Sequence, residues 1–389
     1  MWDFSLVAKE YSYVYPEVYL NIASEGVPPM RVRNAIIDYV NTCYPVDGPK
    51  SAKPIGKKAE KVKDLFSQLI HGEGRDSIAL VKNTTEGISI LANGYPFSAE
   101  DNIIISQIEH PSCLFPWINL SERKGVKLKV IPKEIKEITP EEIFARADSH
   151  TKAVVISAVQ YSNGYFADLK VIGQWCREKG IIFAVDAIQA LGRMKVDVQE
   201  CAIDYLSAGG HKGLLGISGM GFVYCSPRLL QQITPTYVGM QSTVMRGHTE
   251  ILDDLSHIQW LHTAERFESG VTNFMALHVL HESLSLITEL GIENIEDYIR
   301  SLEKKFRELL TPYKAYTNCF AEESRHSGIV CVELPVKDET AVQNILKEKR
   351  IAATVRNGYI RFGIGMHNTE RDMAVAAEAV GEIFALAKG

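Results

Sequence analysis

No run of apolar residues in this 389-residue sequence approaches the ~20 needed to cross a bilayer as a helix; the longest, such as Ile103–Ile105 and Ala153–Ala158, are strand-sized. No CxxC pair occurs among the seven cysteines, which are scattered and odd in number, so a disulfide framework is excluded and a reducing compartment suits the chain better. No stripe of one charge stands out: 42 Lys and Arg face 48 Asp and Glu, a formal net charge of −6. That balance argues against nucleic acid or an anionic membrane as the main partner. The opening stretch, MWDFSLVAKEY, carries an acid and lacks a basic segment followed by a long apolar one, so no secretory leader is expected. GxGxxG, Walker and GxSxG motifs are missing as well. What is present, 46% hydrophobic and 23% charged residues, excludes disorder and fibrous repeats and leaves a cytoplasmic globular protein, long enough for two or three domains and expected to be an enzyme.

The middle of the chain alternates short β-branched runs with helical patterns. Candidate strands are 77–81, 102–106, 127–131, 152–158, 181–185, 204–207 and 221–225, and Leu169–Lys179 between two of them is amphipathic. This rhythm predicts crossover units and a mostly parallel seven-stranded sheet covered on both faces, an α/β architecture. KAVVISAV and GIIFAVD are hydrophobic enough for strands buried on both sides. From about residue 259 the pattern shifts to one or two long helices over 273–310, strand-like pieces at 328–333 and 359–362, a helical stretch at 339–349 and an Ala-rich helix over about 369–388. A large domain of residues 18–258 and a smaller α+β domain built from 1–17 and 259–389 follow from that shift. The basic stretch 50–63 reads as a solvated helix face.

The chemistry concentrates in residues 181–224, IIFAVDAIQALGRMKVDVQECAIDYLSAGGHKGLLGISGMGFVY. Asp186 stands where a buried strand runs out, and Lys212 follows the next strand inside a Gly-rich turn. In a parallel sheet both reach the carboxyl edge, where open α/β sheets place ligands. Read singly, a strand-end Asp caps a helix and a loop Lys sits in solvent. Together, an acid and an amine at neighbouring strand ends suit pyridoxal 5′-phosphate, which needs a Lys for its Schiff base and an Asp to keep its ring nitrogen protonated.

Asp186-Ala187-Ile188-Gln189 followed by Lys212 in GGHKGLLGISGMG resembles the signature of the class V aminotransferase family, over roughly residues 18–375. The resemblance implies a fold type I PLP-dependent transferase, a homodimer, and an α-amino acid as substrate. In VKNTTEGISILANG, residues 81–94, Asn83 and Glu86 have capping-box spacing. The helix start they mark is an anion site, and the resemblance puts Thr84 and Thr85 on the cofactor phosphate. It also implies that His110, in SQIEHPSCLFPW, stacks on the ring and assists proton transfer, that Gln189 meets the ring oxygen or the Schiff-base region, and that His211 reaches the phosphate. Gln160 is implied as a further polar contact, with Tyr161 as the competing residue one position on. Arg361, in an otherwise apolar strand, needs a buried anion; the family pattern makes that anion the substrate carboxylate, with Arg356 assisting.

Two departures stand out. Gly209-Gly210 replace a Ser that many members carry before the His-Lys pair, and Val271 replaces a Thr that in relatives reaches the neighbouring subunit's phosphate, leaving Thr272 as a substitute only if the backbone shifts. Freed Lys212 is the base for the α-proton, after which transamination, epimerisation and β-elimination diverge. The segment 346–365 holds no cysteine to carry a persulfide, and Cys331 reads as a packed strand residue, so a cysteine desulfurase or selenocysteine lyase-like activity ranks below an aminotransferase or a C–S/β-elimination lyase. Tyr237, Gln241 and Arg246 are candidates for touching the substrate side chain. Readings from other classes are a non-catalytic relative acting as a binding module, and a metal hydrolase using His278 and His281 with His257 and His262 upstream, for which HExxH is lacking; no metal is expected.

Overall fold

The computed structural model describes residues 2–14, 17–43, 52–245, 256–313, 315, 318 and 320–387, with the backbone alone at 42–43 and 52–56. The chain opens with α1 (Phe4–Tyr11), whose first turn is capped by the Asp3 carboxylate, then a short strand β1 (Val18–Tyr19), α2 (Met30–Cys43) and α3 (Ala52–Leu69). Next come β2 (Ile78–Val81), α4 (Thr84–Gly94), β3 (Asn102–Ser106), α5 (Pro111–Lys124), β4 (Lys127–Ile131), α6 (Pro140–Phe144), β5 (Thr151–Ser157), α7 (Leu169–Lys179), β6 (Ile182–Asp186), β7 (Tyr205–Gly209), β8 (Gly221–Cys225) and α8 (Pro227–Leu230). The last third holds α9 (Phe274–Leu290), α10 (Ile292–Leu310), β9 (Ile329–Glu333), α11 (Glu339–Glu348), β10 (Ile351–Ala352), β11 (Thr354–Arg356), β12 (Tyr359–Gly363) and α12 (Glu370–Leu386).

Seven strands form the central sheet in the order β2-β8-β7-β6-β5-β3-β4, parallel throughout except for β8, which runs against both neighbours. Side chains alternate between two buried layers, as a strand's period of two requires. Ile104, Val154, Ile156, Phe183 and Val185 face one core, while Ile103, Ile105, Ala153, Val155, Ile182 and Ala184 face the other with Trp117. Double-sided burial explains the unbroken hydrophobicity of these strands. The β7–β8 connection carries Lys212, and β2, β3, β5, β6 and β7 all end on one edge, so their carboxyl ends converge there.

A second, three-stranded antiparallel sheet has the order β11-β12-β9. Two contacts cross the divisions expected from sequence. β1 pairs in parallel with β10, and α9 packs against α2 and α3. The basic stretch 50–63 also differs from its reading: its last lysine is 1% exposed and bonds Glu265 and Glu268, which join α3 to the segment beside β2. A helix that packs on two sides keeps even a lysine when two carboxylates compensate the burial.

Candidate active site

Most site residues owe their place to strand or helix ends on the carboxyl edge, while Arg356 and Arg361 come from β11 and β12 of the second sheet. Asp186 is the last residue of β6, Ser157 sits opposite it at the end of β5, and Gly209 ends β7. His110 is the N-cap of α5, where its Nδ1 accepts from Ser112 N at 3.1 Å. That bond leaves the ring proton on Nε2 in the neutral form. Asn83 caps α4 by accepting from Glu86 N at 2.9 Å. Glu86 reaches back to Lys82 N rather than to the N-cap residue, one position earlier than the capping-box spacing implies.

These ends enclose a cavity of about 310 Å³ whose wall includes Thr84, Thr85, His110, Asp186, Gln189, His211, Lys212, Arg356 and Arg361. Nine residues named from sequence therefore share one space. Gln160 does not line it: its side chain is 1% exposed and turns away to donate to Glu109 at 2.5 Å, and Tyr161 lines the cavity instead. Tyr161 meets His110 edge-on, ring centres 5.0 Å apart, and carries the Arg356 guanidinium 5.2 Å above its face. Neither Tyr237 nor Gln241 lines the cavity; Arg246 lies outside the described residues.

At the α4 end of the cavity, the Thr84 hydroxyl accepts from Gly209 N at 2.9 Å, and Ser207 Oγ donates to the Thr84 carbonyl at 3.1 Å. A side chain at Gly209 would press on the His211 ring at 3.1 Å, so the glycine that stands where a serine was looked for makes room for the histidine.

Burial sets the charges. It pushes the Asp186 carboxyl up to about 6, against a hydrogen bond from Ile188 N and the attraction of Lys212. It draws the Lys212 ammonium down to about 8, with Asp186 opposing and Arg361, Arg193 and Arg356 adding to the fall. His110 is lowered by burial and then by the same lysine and arginines. Arg361, 5% exposed, donates to the Tyr161 carbonyl at 2.7 Å and to Ser24 Oγ at 2.9 Å.

Three buried groups in this wall await a partner. Among the described residues, Asp186 is bonded only from Ile188 N, Gln189 Oε1 accepts nothing while its amide donates to the Ala23 carbonyl, and Arg361 Nε donates to nothing. An acid, an acceptor and a guanidinium N–H, beside an amine and a helix start, fit a protonated pyridine ring with a phenolic oxygen and a phosphate, together with a substrate carboxylate. Sequence reasoning missed three contributors. Ser24 holds Arg361, and Gly26 lets the N-terminal segment lie on the Lys212 carbonyl, which an added Cβ would meet at 2.2 Å. Glu109 is the third; an acid directly before the His at the start of α5 was its only signal.

A second cavity of about 380 Å³ shares Tyr161, Arg356 and Arg361 and also includes Cys331 and Asn163. Cys331 lies in β9, as read from sequence, and burial pushes its thiol up to about 11. His278 and His281 point to the Phe274 carbonyl and to Glu282, and no cluster of three metal-ligating side chains occurs among the described residues. No described helix is long and apolar enough to cross a membrane.

The family model described as aminotransferase class-V matches residues 18–374. A probable cysteine desulfurase of Methanothermobacter thermautotrophicus is 26% identical, covering 97% of each chain. Among solved structures, the apo cysteine desulfurase of Thermococcus onnurineus NA1 superposes with a TM-score of 0.88 at 22% identity over 99% of each chain. A cystine C–S lyase in complex with its reaction product cysteine persulfide does so with a TM-score of 0.85 at 20% identity, over 96% of this chain and 99% of that one.

Proposed function

This chain belongs to the class V aminotransferase family and is a PLP-dependent enzyme, and we propose that it transforms an α-amino acid as an aminotransferase or a C–S/β-elimination lyase. The observation that carries the reading is the meeting of Asp186, Lys212 and Arg361 in one cavity with no partner yet for the acid's second oxygen or for Arg361 Nε. In this reading Lys212 holds the cofactor covalently, Asp186 its ring nitrogen, Gln189 its ring oxygen, and Thr84, Thr85 and His211 its phosphate, with His110 against the ring. When bound, the cofactor supplies an electron sink for the carbanion at the substrate's α-carbon. Gln160 supports the floor through Glu109 rather than by contact.

The chain's own residues do the rest. Arg361 offers its guanidinium N–H groups to the substrate carboxylate, as planar bidentate recognition requires, and Arg356 adds positive charge at the mouth. Lys212 Nζ, whose ammonium burial draws down to about 8, takes the α-proton once freed and unprotonated. Desulfuration through a cysteine persulfide stands second, because among the described residues no cysteine lines the cofactor cavity and Cys331 is buried with a raised thiol. The family reading also carries a homodimer, a cytoplasmic setting and a division into 18–258 against 1–17 with 259–389. Incubation with candidate amino acids tests the reaction. Pyruvate marks elimination, and conversion of bound cofactor to its amine form marks transamination; accumulation of neither defeats both.

A further inference from the structure

Glu109 is 2% exposed, lies one residue before His110, and takes no part in the roles assigned above. Its Oε1 accepts from Ser157 N at 2.9 Å and from Gln160 Nε2 at 2.5 Å, while Oε2 pairs with Ser157 Oγ. Gln160 begins a tight turn, closed by Gly164 N on the Gln160 carbonyl at 2.8 Å and by Gln160 N on the Tyr165 carbonyl at 2.9 Å. The next residue, Tyr161, gives its carbonyl to Arg361 Nη1 at 2.7 Å and its ring to His110 and Arg356. One carboxyl thus pins the end of β5 and the turn from which Arg361 is held. Among the described residues no carboxylate pairs with Arg361, so its direction depends on the Tyr161 carbonyl and Ser24.

We propose that Glu109 is a positioning residue for the substrate-carboxylate site, acting through Gln160 and the Tyr161 carbonyl on Arg361. The inference rests on Arg361 being the carboxylate-binding residue. Burial, with the Asp186 charge adding and the bonds from Ser157 and Gln160 opposing, pushes the Glu109 carboxyl up to about 7. A proton on Oε2 then donates to Ser157 Oγ, and Oε1 keeps both of its acceptor bonds. Glutamine can reproduce that pattern, with its amide N–H₂ facing Ser157 Oγ. Aspartate, one methylene shorter, cannot reach both Ser157 and Gln160.

The test uses the holoenzyme and two probes, glycine, which has a carboxylate, and methylamine, which lacks one. Dissociation constants come from the change in cofactor absorbance, and their ratio isolates the carboxylate's contribution. Glu109→Ala and Glu109→Asp should lower the preference for glycine over methylamine at least tenfold with methylamine binding unchanged, and Glu109→Gln should keep the preference within threefold. An E109A or E109D protein that retains the wild-type preference overturns the proposal, as does an E109Q protein as impaired as E109A. A wild-type protein with no preference for glycine removes the Arg361 reading itself, and Glu109 then has nothing to position. Equal weakening of both probes in E109A and E109D shows general damage to the pocket and also overturns it.

Discussion

Lys212 illustrates how one side chain takes two jobs from its surroundings. Its ammonium is desolvated on the carboxyl edge of the sheet, which favours the neutral amine, while Asp186 draws the value back part of the way to about 8. The amine that attacks the cofactor aldehyde must be unprotonated, so uptake of cofactor by apoprotein should accelerate as pH rises and level off above about 8. Stopped-flow absorbance measures this directly; a midpoint near the ordinary lysine value would contradict the burial. Lys212→Ala should take up no cofactor covalently. Asp186 and Glu109 move the other way, to about 6 and about 7. Both are acids raised above their unfolded values, so their contribution to apoprotein stability is fully present below about 4 and lost as pH rises through 6 to 7. The apoprotein Tm should therefore fall across that window. The double variant Asp186→Asn, Glu109→Gln should flatten the fall, and a wild-type Tm constant from pH 5 to 8 would refute the shifts.

The elements were largely legible because their signal is local. Runs bounded by polar residues gave β3, β4 and β8 at their observed ends and the others within a residue or two, and α7 ran as its periodicity required. Asp186, Lys212, Thr84 and Thr85 were legible because strand ends and a helix start put chemistry where the fold places ligands, and Arg361 because a charge inside an apolar strand needs a buried partner. What escaped was contact between distant segments. Nothing local marks Glu109 as the anchor of a turn fifty residues away, Lys63 as a buried ion-pair member, or Gln160 as pointing away while Tyr161 points in. That turn shows the physical reason for one further expectation. Gly164 has φ +79°, and a Cβ there would lie 2.7 Å from Ile329 of β9. Gly164→Ala therefore meets both backbone strain and a clash. It should cost about 1–3 kcal/mol in urea unfolding. It should also weaken amino-acid binding through Tyr161 and Arg361 more than cofactor binding through Asp186 and α4. An unchanged glycine affinity in a folded G164A protein would uncouple the turn from Arg361.

Across the whole molecule, polar seams join the parts that strand order leaves separate. Arg193, 1% exposed, donates to the carbonyls of Gln189, Ser327 and Ile364, tying the turn after Asp186 to the start of β9 and the end of β12, which lie side by side at one end of the second sheet. The opposite side of the site has no such cover. Val271 is 83% exposed and lines, with Lys82, Asn83 and Thr272, an opening of about 640 Å³ beside the start of α4. The neighbouring segment, held by Ser242 Oγ on the Glu268 carbonyl at 2.9 Å, shows Tyr237, Val238, Met240 and Val244 to solvent. Exposed apolar side chains next to the start of α4 make this the surface that the proposed homodimer would cover. Each buried valine or methionine contributes up to about 1.5–3 kcal/mol to such an interface. Sedimentation equilibrium should give twice 43.4 kDa for the wild-type chain. Val271→Asp with Met240→Asp should raise the dimer dissociation constant at least a hundredfold while leaving the fold intact by circular dichroism. A double variant that stays as dimeric as the wild type would move the interface elsewhere, and a monomeric wild type at micromolar concentration would remove it.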